Sequence, residues 1–262
     1  MTLVQKEPKY IKIWSTDAKK VYLGSTQVRP SATPITTPWI YHNTTLGLIS
    51  LSSNWSTWLT IADKNLWATQ VRNDGDTLSE SNCGKFYQWG NNYWFPATWP
   101  TITSSTAVNA GTYWPWNYYS SSTFITGAYW DSSYNRNLWG EVTWTYEAKQ
   151  WPCFSWYHIP SISEWNTLKS VITSLWINNN VNKLLKVPIL WHIYKNWSFV
   201  SDTVAYIWSS DIDTSYSQTY SRFASISNTI TTTGSQNRTW GFEIRPFKNE
   251  AVQPDTSRTK LY

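Results

Sequence analysis

The chain has 262 residues, enough to bury one substantial core without splitting into several domains. Charged residues make up 14% of it, below the usual quarter, so Ser, Thr and Asn carry much of the polar surface. The net charge of +5 is spread along the chain instead of forming one basic face, which argues against a nucleic-acid partner.

The sequence contains no run of about twenty apolar residues, so we expect no membrane insertion. Residues 1–20 carry charges where a secretory signal peptide would have its apolar core, so these residues do not support export by that route. The polar, β-rich composition is still typical of extracellular proteins. We therefore expect a place outside the cell, on a cell surface or on a virion. The sequence indicates no oligomeric state.

Tryptophan is unusually frequent, with 21 residues against only ten glycines. Several tryptophans stand where glycine is favoured: Trp176 follows a predicted helix, while Trp55 and Trp197 lie in turn-like polar clusters. The two residue types together make 31 of 262 residues, about 12%, whereas glycine alone averages about 7%. We therefore expect that many of these codons are UGA, read as glycine in the source organism. The alternative is a genuinely tryptophan-rich β protein.

The N-terminal part of the chain divides into an extension and a spacer. Residues 1–30 are predicted to form a β-hairpin extension from the runs at 10–13 and 20–23. A Pro- and Thr-rich spacer is predicted at 31–45, before a main domain of residues 46–248. Early strands of that domain are expected at 46–51, 58–61 and 85–89.

The middle of the chain combines irregular loops with one clear helix. Residues 90–140 show neither helical nor strand periodicity, which predicts long irregular loops. Ser161 and Glu164 have the spacing of a capping box, so the clearest helix is predicted to begin after Ser161. Apolar residues recur at helical spacing at positions 162, 165, 168, 172 and 175.

The remaining elements complete an α+β pattern. A shorter helix is expected around residues 142–150, and residues 249–262 have the composition of an extended tail. Late strands are predicted at 184–194, 198–200, 204–208, 222–226 and 240–247. Early strands, central helices and late strands in this order predict an α+β domain.

Four segments carry a resemblance to a known family. They are IADKNLWAT at 61–69, GKFYQWG at 84–90, CFSWYHIPS at 153–161 with Glu164 and Trp165 after it, and WSS at 208–210 with WGFEIRPF at 240–247. In this order they resemble the fibrobacter major paralogous domain, a bacterial family related to C-type-lectin-like folds. The resemblance spans residues 58–248.

The resemblance separates the tryptophans into two groups. Trp67 and Trp156 stand at glycines of the family motifs, which supports the codon hypothesis, while Phe154 replaces a proline of the family. At four other positions the family itself has aromatic residues. Authentic core tryptophans are therefore expected at Trp89, Trp165, Trp208 and Trp240.

What the resemblance implies is a C-type-lectin-like domain with a mixed or antiparallel sheet, one or two helices and long irregular loops. Its final strand would return beside the early ones and leave residues 209–238 as an exposed ligand face. In some related proteins this stretch is diversified by retroelement mutagenesis. Tyr, Ser and Asn suit adaptable recognition, although such loops can also be merely solvated. The candidate contact residues are Asp211, Asp213, Tyr216, Gln218, Tyr220, Arg222, Asn228 and Asn237.

Residues with catalytic or metal-binding chemistry are sparse. Cys83 and Cys153 could form one disulfide or remain a reduced buried pair, and neither has the spacing of a zinc site. His158 is expected to fix a turn by hydrogen bonding, and His192 to lie in the core or on a sheet face. Residues 73–76 are expected to form a polar turn and not a calcium site. We therefore predict no metal, cofactor or catalytic residue.

Three hypotheses for function remain. The first is a non-enzymatic binding module, displayed on a cell surface or virion, that recognises a glycan or surface protein through residues 209–238. The second is a structural or assembly protein of a cell envelope or phage tail, without a specific ligand. The third, a hydrolytic or oxidative enzyme, has the least support, because the sequence has no G-x-S-x-G elbow and no group that would activate Cys153.

Overall fold

The protein is described here by a computed structural model, which divides the chain into two compact units, Met1–Thr36 and Thr37–Tyr262. In the first unit, β1 (Tyr22–Leu23) pairs antiparallel with β2 (Thr26–Gln27), within the predicted hairpin extension. The predicted run at 10–13 lies outside the described residues. The structure describes residues 22–23, 26–27, 39–54, 57–96, 102–110, 119–133, 138–139, 152–177, 179–189, 192–194, 199–200, 203–216 and 219–249.

The second unit combines many strands with few helices. Its described strands are β3 (Trp39–Asn43), β4 (Leu48–Asn54), β5 (Thr57–Ala62), β6 (Phe86–Gln88), β7 (Thr103–Ser104), β8 (Phe124–Ile125), β9 (Tyr157–His158), β10 (His192–Ile193), β11 (Phe199–Val200), β12 (Ala205–Ile212), β13 (Tyr220–Ile226), β14 (Ile230–Asn237), β15 (Gly241–Glu243) and β16 (Phe247–Lys248). Its described helices are α1 (Glu80–Cys83), α2 (Ile162–Ser174) and α3 (Val181–Leu184). The predicted α+β class is confirmed.

Two larger sheets organise this unit. The five-stranded sheet has the order β3-β4-β5-β16-β9. The seven-stranded sheet has the order β11-β10-β15-β12-β13-β14, with β6 paired to β15 as well. Most pairs are antiparallel, while β12 and β15 are parallel. Strands β7 and β8 form a separate parallel pair.

Helix α2 begins where the capping box predicts it. The Glu164 amide donates to Ser161 Oγ at 3.2 Å, and the Ser161 amide donates to Glu164 Oε2 at 2.8 Å. Trp165, Leu168 and Ile172 of its apolar face are buried in a core that includes residues of both larger sheets. Burial of each such side chain contributes about 1.5–3 kcal/mol, so α2 ties the two sheets together.

The closing segment, residues 241–248, belongs to both larger sheets. Its first half, β15, pairs with β6, β10 and β12, and its second half, β16, pairs with β5 and β9. Between them the buried Arg245 donates to the carbonyls of Ala62 and Lys186, at 2.9 and 3.0 Å. Phe247 lies opposite Ile61 of β5, so the predicted return of the last strand beside the early ones is confirmed.

Several predicted boundaries differ from the structure. Strand β3 lies inside the predicted spacer at 31–45 and pairs with β4. The predicted strand at 184–194 is wrong over most of its described residues, because α3 ends at Leu184 and, of the residues described there, only His192–Ile193 pairs as β10. Strand β14 was not predicted. The helix expected around 142–150 lies outside the described residues, as does most of the tail.

Replacing Phe247 with Ala tests the closing segment. Phe247 is fully buried, and its ring centroid lies 4.9 Å from that of Trp165. We expect Phe247→Ala to lower the free energy of unfolding by about 3–5 kcal/mol, since it leaves a cavity between sheet and helix. Urea denaturation followed by circular dichroism measures this change. Lys248→Ala, beside it on a half-buried position, should change stability by about 0.5 kcal/mol or less; equal losses in the two variants would contradict the assignment.

Candidate functional site

The candidate contact residues lie on β12, β13, β14 and the turns that join them. These three strands follow one another in an antiparallel order. One side of them packs against α2, where Ala224, Ile226 and Ile230 join the core. The expectation that residues 209–238 are outermost is therefore wrong for the strands, because one of their faces packs against α2. The exposed residues of this segment lie mainly in the turns.

The turn between β12 and β13 presents two tyrosines together. Asp213 Oδ1 accepts hydrogen bonds from the amides of Ser215 and Tyr216, at 2.8 and 3.4 Å, a geometry typical of Asp at turns. The amides of Thr219 and Tyr220 donate to the Tyr216 carbonyl, at 3.0 and 2.9 Å. The Tyr216 side chain is 66% exposed, and its ring centroid lies 5.7 Å from that of Tyr220.

Charged groups lie beside the two tyrosines. A hydrogen bond with the Ser235 side chain is the main cause that lowers the pKa of Asp213, and the nearby Arg222 charge lowers this pKa further. Arg222 Nη2 donates to the carbonyl of Thr232 at 3.2 Å, which fixes its guanidinium beside β14. At neutral pH the site therefore carries one carboxylate and one guanidinium. We call Asp213, Tyr216, Tyr220, Arg222 and Ser235 the tyrosine turn.

Ser235 was not singled out by the sequence analysis. It enters the site because β14 pairs Ser235 with Arg222. That register includes a shift between Phe223 and Ser225 on β13. Because a one-residue shift moves every side chain of a strand to the other face, no pattern in the sequence could have identified this serine.

Two predicted contact residues serve the fold. Asp211 is buried, and its Oδ2 accepts a hydrogen bond from the Ile162 amide at the start of α2. Asn237 Nδ2 donates to the Ala128 carbonyl at 2.6 Å, and its Oδ1 accepts from the Thr239 amide at 3.0 Å. The side chains of Asp211 and Asn237 therefore form hydrogen bonds with the backbone of neighbouring segments, whereas the Tyr216 side chain is exposed.

Of the other two predicted residues, Asn228 does not join the tyrosine turn. Asn228 lies in the turn between β13 and β14, at the far end of a seven-residue strand that spans about 20 Å. It is exposed, and its Oδ1 accepts a hydrogen bond from the Asn180 amide at 3.3 Å. Gln218 lies outside the described residues. Of the eight predicted residues, the structure thus brings together Asp213, Tyr216, Tyr220 and Arg222.

The histidines have structural partners. His158 lies between Glu164 Oε1, 2.7 Å from its Nε2, and Asn249 Oδ1, 2.9 Å from its Nδ1, so its predicted hydrogen-bonding role is confirmed. His192 is buried and stacks on Trp240 with ring centroids 4.9 Å apart. This position agrees with the expected place on a sheet face.

The two cysteines are buried free thiols in the structure, which therefore lacks the disulfide that the sequence allows. The physical reason is that they belong to different hydrophobic clusters, Cys83 beside Phe86 and Cys153 beside Leu66. Burial raises the pKa of Cys83 to about 12, and it raises the pKa of Cys153 as well. Both are protonated at neutral pH, when a thiol is a poor nucleophile.

Residues 73–76 form a polar turn, as expected. Asp76 Oδ2 accepts a hydrogen bond from the Asn73 amide at 2.7 Å, and Asp74 pairs with Lys183 at 2.8 Å. In the part of the chain that the structure describes, no group of three or more His, Cys, Asp or Glu residues could hold a metal ion. The described helices are all too short or too polar to cross a membrane.

Comparisons of the chain with family models, with curated proteins and with solved structures find no match. The family resemblance of the four motifs therefore stays a prediction. Function has to be argued from the geometry of the tyrosine turn and of the strands that hold it.

Replacing Asp211 with Ala separates a role in the fold from a role in binding. The change removes the buried Asp211 carboxylate and leaves the partly buried Ile162 amide without this acceptor, so we expect the free energy of unfolding to fall by about 1–3 kcal/mol. Urea denaturation measures the loss. Asp74→Ala is the matched control, because its pair with Lys183 is exposed and screened by solvent and should contribute little to stability. Stability of Asp211→Ala equal to that of the control would argue against the capping role.

The stability of the domain should depend on the ionisation of Glu164. Burial opposes its charge, but hydrogen bonds with His158 and Ser161 outweigh burial and lower the pKa of Glu164 below 4.5. The folded chain therefore holds this proton less tightly than the unfolded chain. The resulting stability is present above pH 4.5 and is lost as the pH falls through the folded pKa.

We expect Glu164→Gln to be less stable than the wild type at neutral pH, and to lose less stability on acidification below pH 4.5. Urea midpoints at several pH values measure both effects. Asp74→Ala again serves as the control, since this carboxyl group is exposed. Midpoints of Glu164→Gln and wild type that fall in parallel would show that Glu164 does not supply this acid sensitivity.

Proposed function

We propose that residues 46–248 form a C-type-lectin-like module that binds a glycan or a surface protein through the tyrosine turn, without catalysing a reaction. The module would act on a cell surface or on a virion. The observation that carries the proposal is the pair of exposed Tyr216 and half-buried Tyr220, whose ring centroids lie 5.7 Å apart beside Asp213 and Arg222.

The chemistry of the tyrosine turn suits recognition of a surface. A tyrosine offers a large amphipathic ring at a small cost in conformational entropy, because it has few rotatable bonds. Such a ring packs against apolar groups of a sugar or a side chain, while its hydroxyl forms hydrogen bonds. Asp213 and Arg222 add charged partners, whose hydrogen bonds are stronger than those between neutral groups.

The backbone under the tyrosines is ordered before a ligand arrives. Asp213 holds the amides of Ser215 and Tyr216, and the Arg238 amide donates to the Thr219 carbonyl at 2.9 Å. Strands β12 and β13, which the turn joins, pack against α2. The backbone that these bonds fix at residues 213–216 and 219–220 loses little entropy on binding, so more of the contact energy contributes to affinity.

The lectin-like part of the proposal rests on topology. Strand β16 lies beside β5 in the five-stranded sheet, and the chain between β12 and β15 forms β13 and β14 at one edge of the seven-stranded sheet. This segment is the place where the family resemblance puts the ligand face. The non-enzymatic part rests on the two protonated thiols and on His158, whose ring nitrogens are both engaged by neighbouring side chains.

A double variant tests the proposed site. Tyr216→Ala with Tyr220→Ala should weaken binding at least about tenfold on a printed glycan array or a panel of purified surface proteins, because exposed tyrosines are frequent hot spots. Asn228→Ala, at the far end of the same strands, should bind like the wild type. Circular dichroism checks that all variants are folded.

Two results would count against the proposal. Unchanged affinity of the double tyrosine variant would place the contact surface elsewhere. Wild-type protein that binds neither glycans nor surface proteins, yet assembles into ordered oligomers or filaments by itself, would favour the alternative of a structural protein without a specific ligand.

A further inference from the structure

Three tryptophans have a backbone conformation that strongly favours glycine. Their φ angles are 67° at Trp67, 68° at Trp156 and 57° at Trp176. In this left-handed region the Cβ atom comes too close to the following carbonyl oxygen, so side chains other than Asn and Asp are rare there. A bulky residue with positive φ is a genuine outlier, and this chain has three of the same type.

Trp176 occupies the position after helix α2 that glycine usually fills. The Trp176 amide donates to the Thr173 carbonyl at 3.0 Å, and the Ile177 amide donates to the Ile172 carbonyl at 3.3 Å. These two bonds define a Schellman motif, whose left-handed residue is most often glycine. The Trp176 side chain is 86% exposed, so packing offsets little of the backbone strain.

Trp67 and Trp156 occupy the same position in two separate turns. The Ala68 amide donates to the Asn65 carbonyl, and the Tyr157 amide donates to the Phe154 carbonyl, both at 3.0 Å. Each tryptophan is thus the third residue of a four-residue turn, where a positive φ requires glycine or Asn. Their side chains are 47% and 68% exposed.

Other tryptophans of the chain behave as genuine core residues. Trp89, Trp165 and Trp208 are fully buried and are not among the residues with positive φ. The indole of Trp89 donates to the Ser209 carbonyl at 2.8 Å, and that of Trp208 donates to the Tyr87 carbonyl at 2.8 Å. Glycine at these positions would leave large cavities and unpaired carbonyl groups.

We infer that positions 67, 156 and 176 carry glycine in the natural protein, encoded by UGA, whereas Trp89, Trp165 and Trp208 are genuine tryptophans. Backbone conformation separates the two groups without reference to the proposed ligand. The three described tryptophans with positive φ are exposed, whereas Trp89, Trp165 and Trp208 are buried.

The inference changes which surface can bind a partner. Trp67 and Phe154 have ring centroids 5.1 Å apart and, with exposed Leu46, line a cavity of about 390 Å³. This patch has the aromatic character of a docking site for a sugar or a peptide. With glycine at 67 the cavity loses its indole, and glycine at 156 removes a second exposed indole from the turn that contains Phe154. The ring pair of Trp67 and Phe154 is therefore not a ligand site of the natural protein.

Mass spectrometry of the protein purified from its source organism tests the inference directly. Peptides that contain positions 67, 156 and 176 should have the masses expected for glycine, and those that contain Trp165 and Trp208 the masses expected for tryptophan. Tryptophan at all three turn positions would overturn the inference, and so would glycine at the two core positions.

Recombinant variants test the physical basis separately. Starting from the printed sequence, Trp67→Gly, Trp156→Gly and Trp176→Gly should each raise the melting temperature by about 2–4 °C, because relief of backbone strain outweighs the added flexibility of the unfolded chain. Trp94→Gly is the matched control, because Trp94 is 38% exposed but lacks a positive φ. It should lower the melting temperature.

A lower melting temperature in all three turn variants, as in the Trp94→Gly control, would overturn the inference on strain. The variants also test the patch, because the triple turn variant should bind less of a hydrophobic dye than the printed sequence does. Equal dye binding would show that the indoles at 67 and 156 do not form the patch.

Discussion

The pairing of residues 241–248 with both larger sheets is the constraint on which the rest of the fold depends. Strand β15 lies among β6, β10 and β12, and β16 lies between β5 and β9. Glycine at 241 lets β15 approach β10 closely, since a Cβ atom there would lie 3.0 Å from Ile193 Cβ, closer than an ordinary contact. Burial lowers the pKa of Arg245 to about 10, which still leaves the guanidinium charged at neutral pH. Its bonds to two carbonyls from distant segments fix the point where the chain passes from one sheet to the other.

Because of this constraint, residues 209–238 consist of strands that pack against the core and of turns that are exposed. Strands β12 and β15 are neighbours, and the chain between them extends the same sheet by two further strands, β13 and β14, which pack on α2. Asp211 and Asn237 lie near the two ends of this segment and hold backbone groups of α2 and of a neighbouring loop. The Tyr216 side chain, in contrast, is exposed in the turn between β12 and β13. Side chains there can differ between related proteins with little effect on the core.

Local patterns predicted some elements, and long-range register decided the others. Helix α2 was predictable, because its capping box and apolar spacing are local. The apolar run at 184–194 was misassigned, since periodicity cannot separate a short helix with a turn at Lys186 from a buried strand. Strand β14 was missed, because its Thr, Gly and Ser residues do not alternate in polarity. Its register depends on the ring of Phe223, which covers Gly234 so closely that a Cβ atom would lie 2.3 Å from Cζ. Ser235 joins the candidate site only through that register.

Backbone conformation also explains why amino-acid composition alone does not show which aromatic residues belong on the surface. The sequence does not distinguish a buried tryptophan from one at a left-handed turn. The first fills space in the core, whereas the second has a backbone conformation that favours glycine. Trp89 is enclosed by Arg238, whose guanidinium lies 4.3 Å from its ring, whereas Trp176 closes a helix and projects into solvent. A foldable sequence has local preferences that agree with the global structure. With glycine at the turns that agreement is restored, and exposed Tyr216 of the proposed site is unaffected by the change.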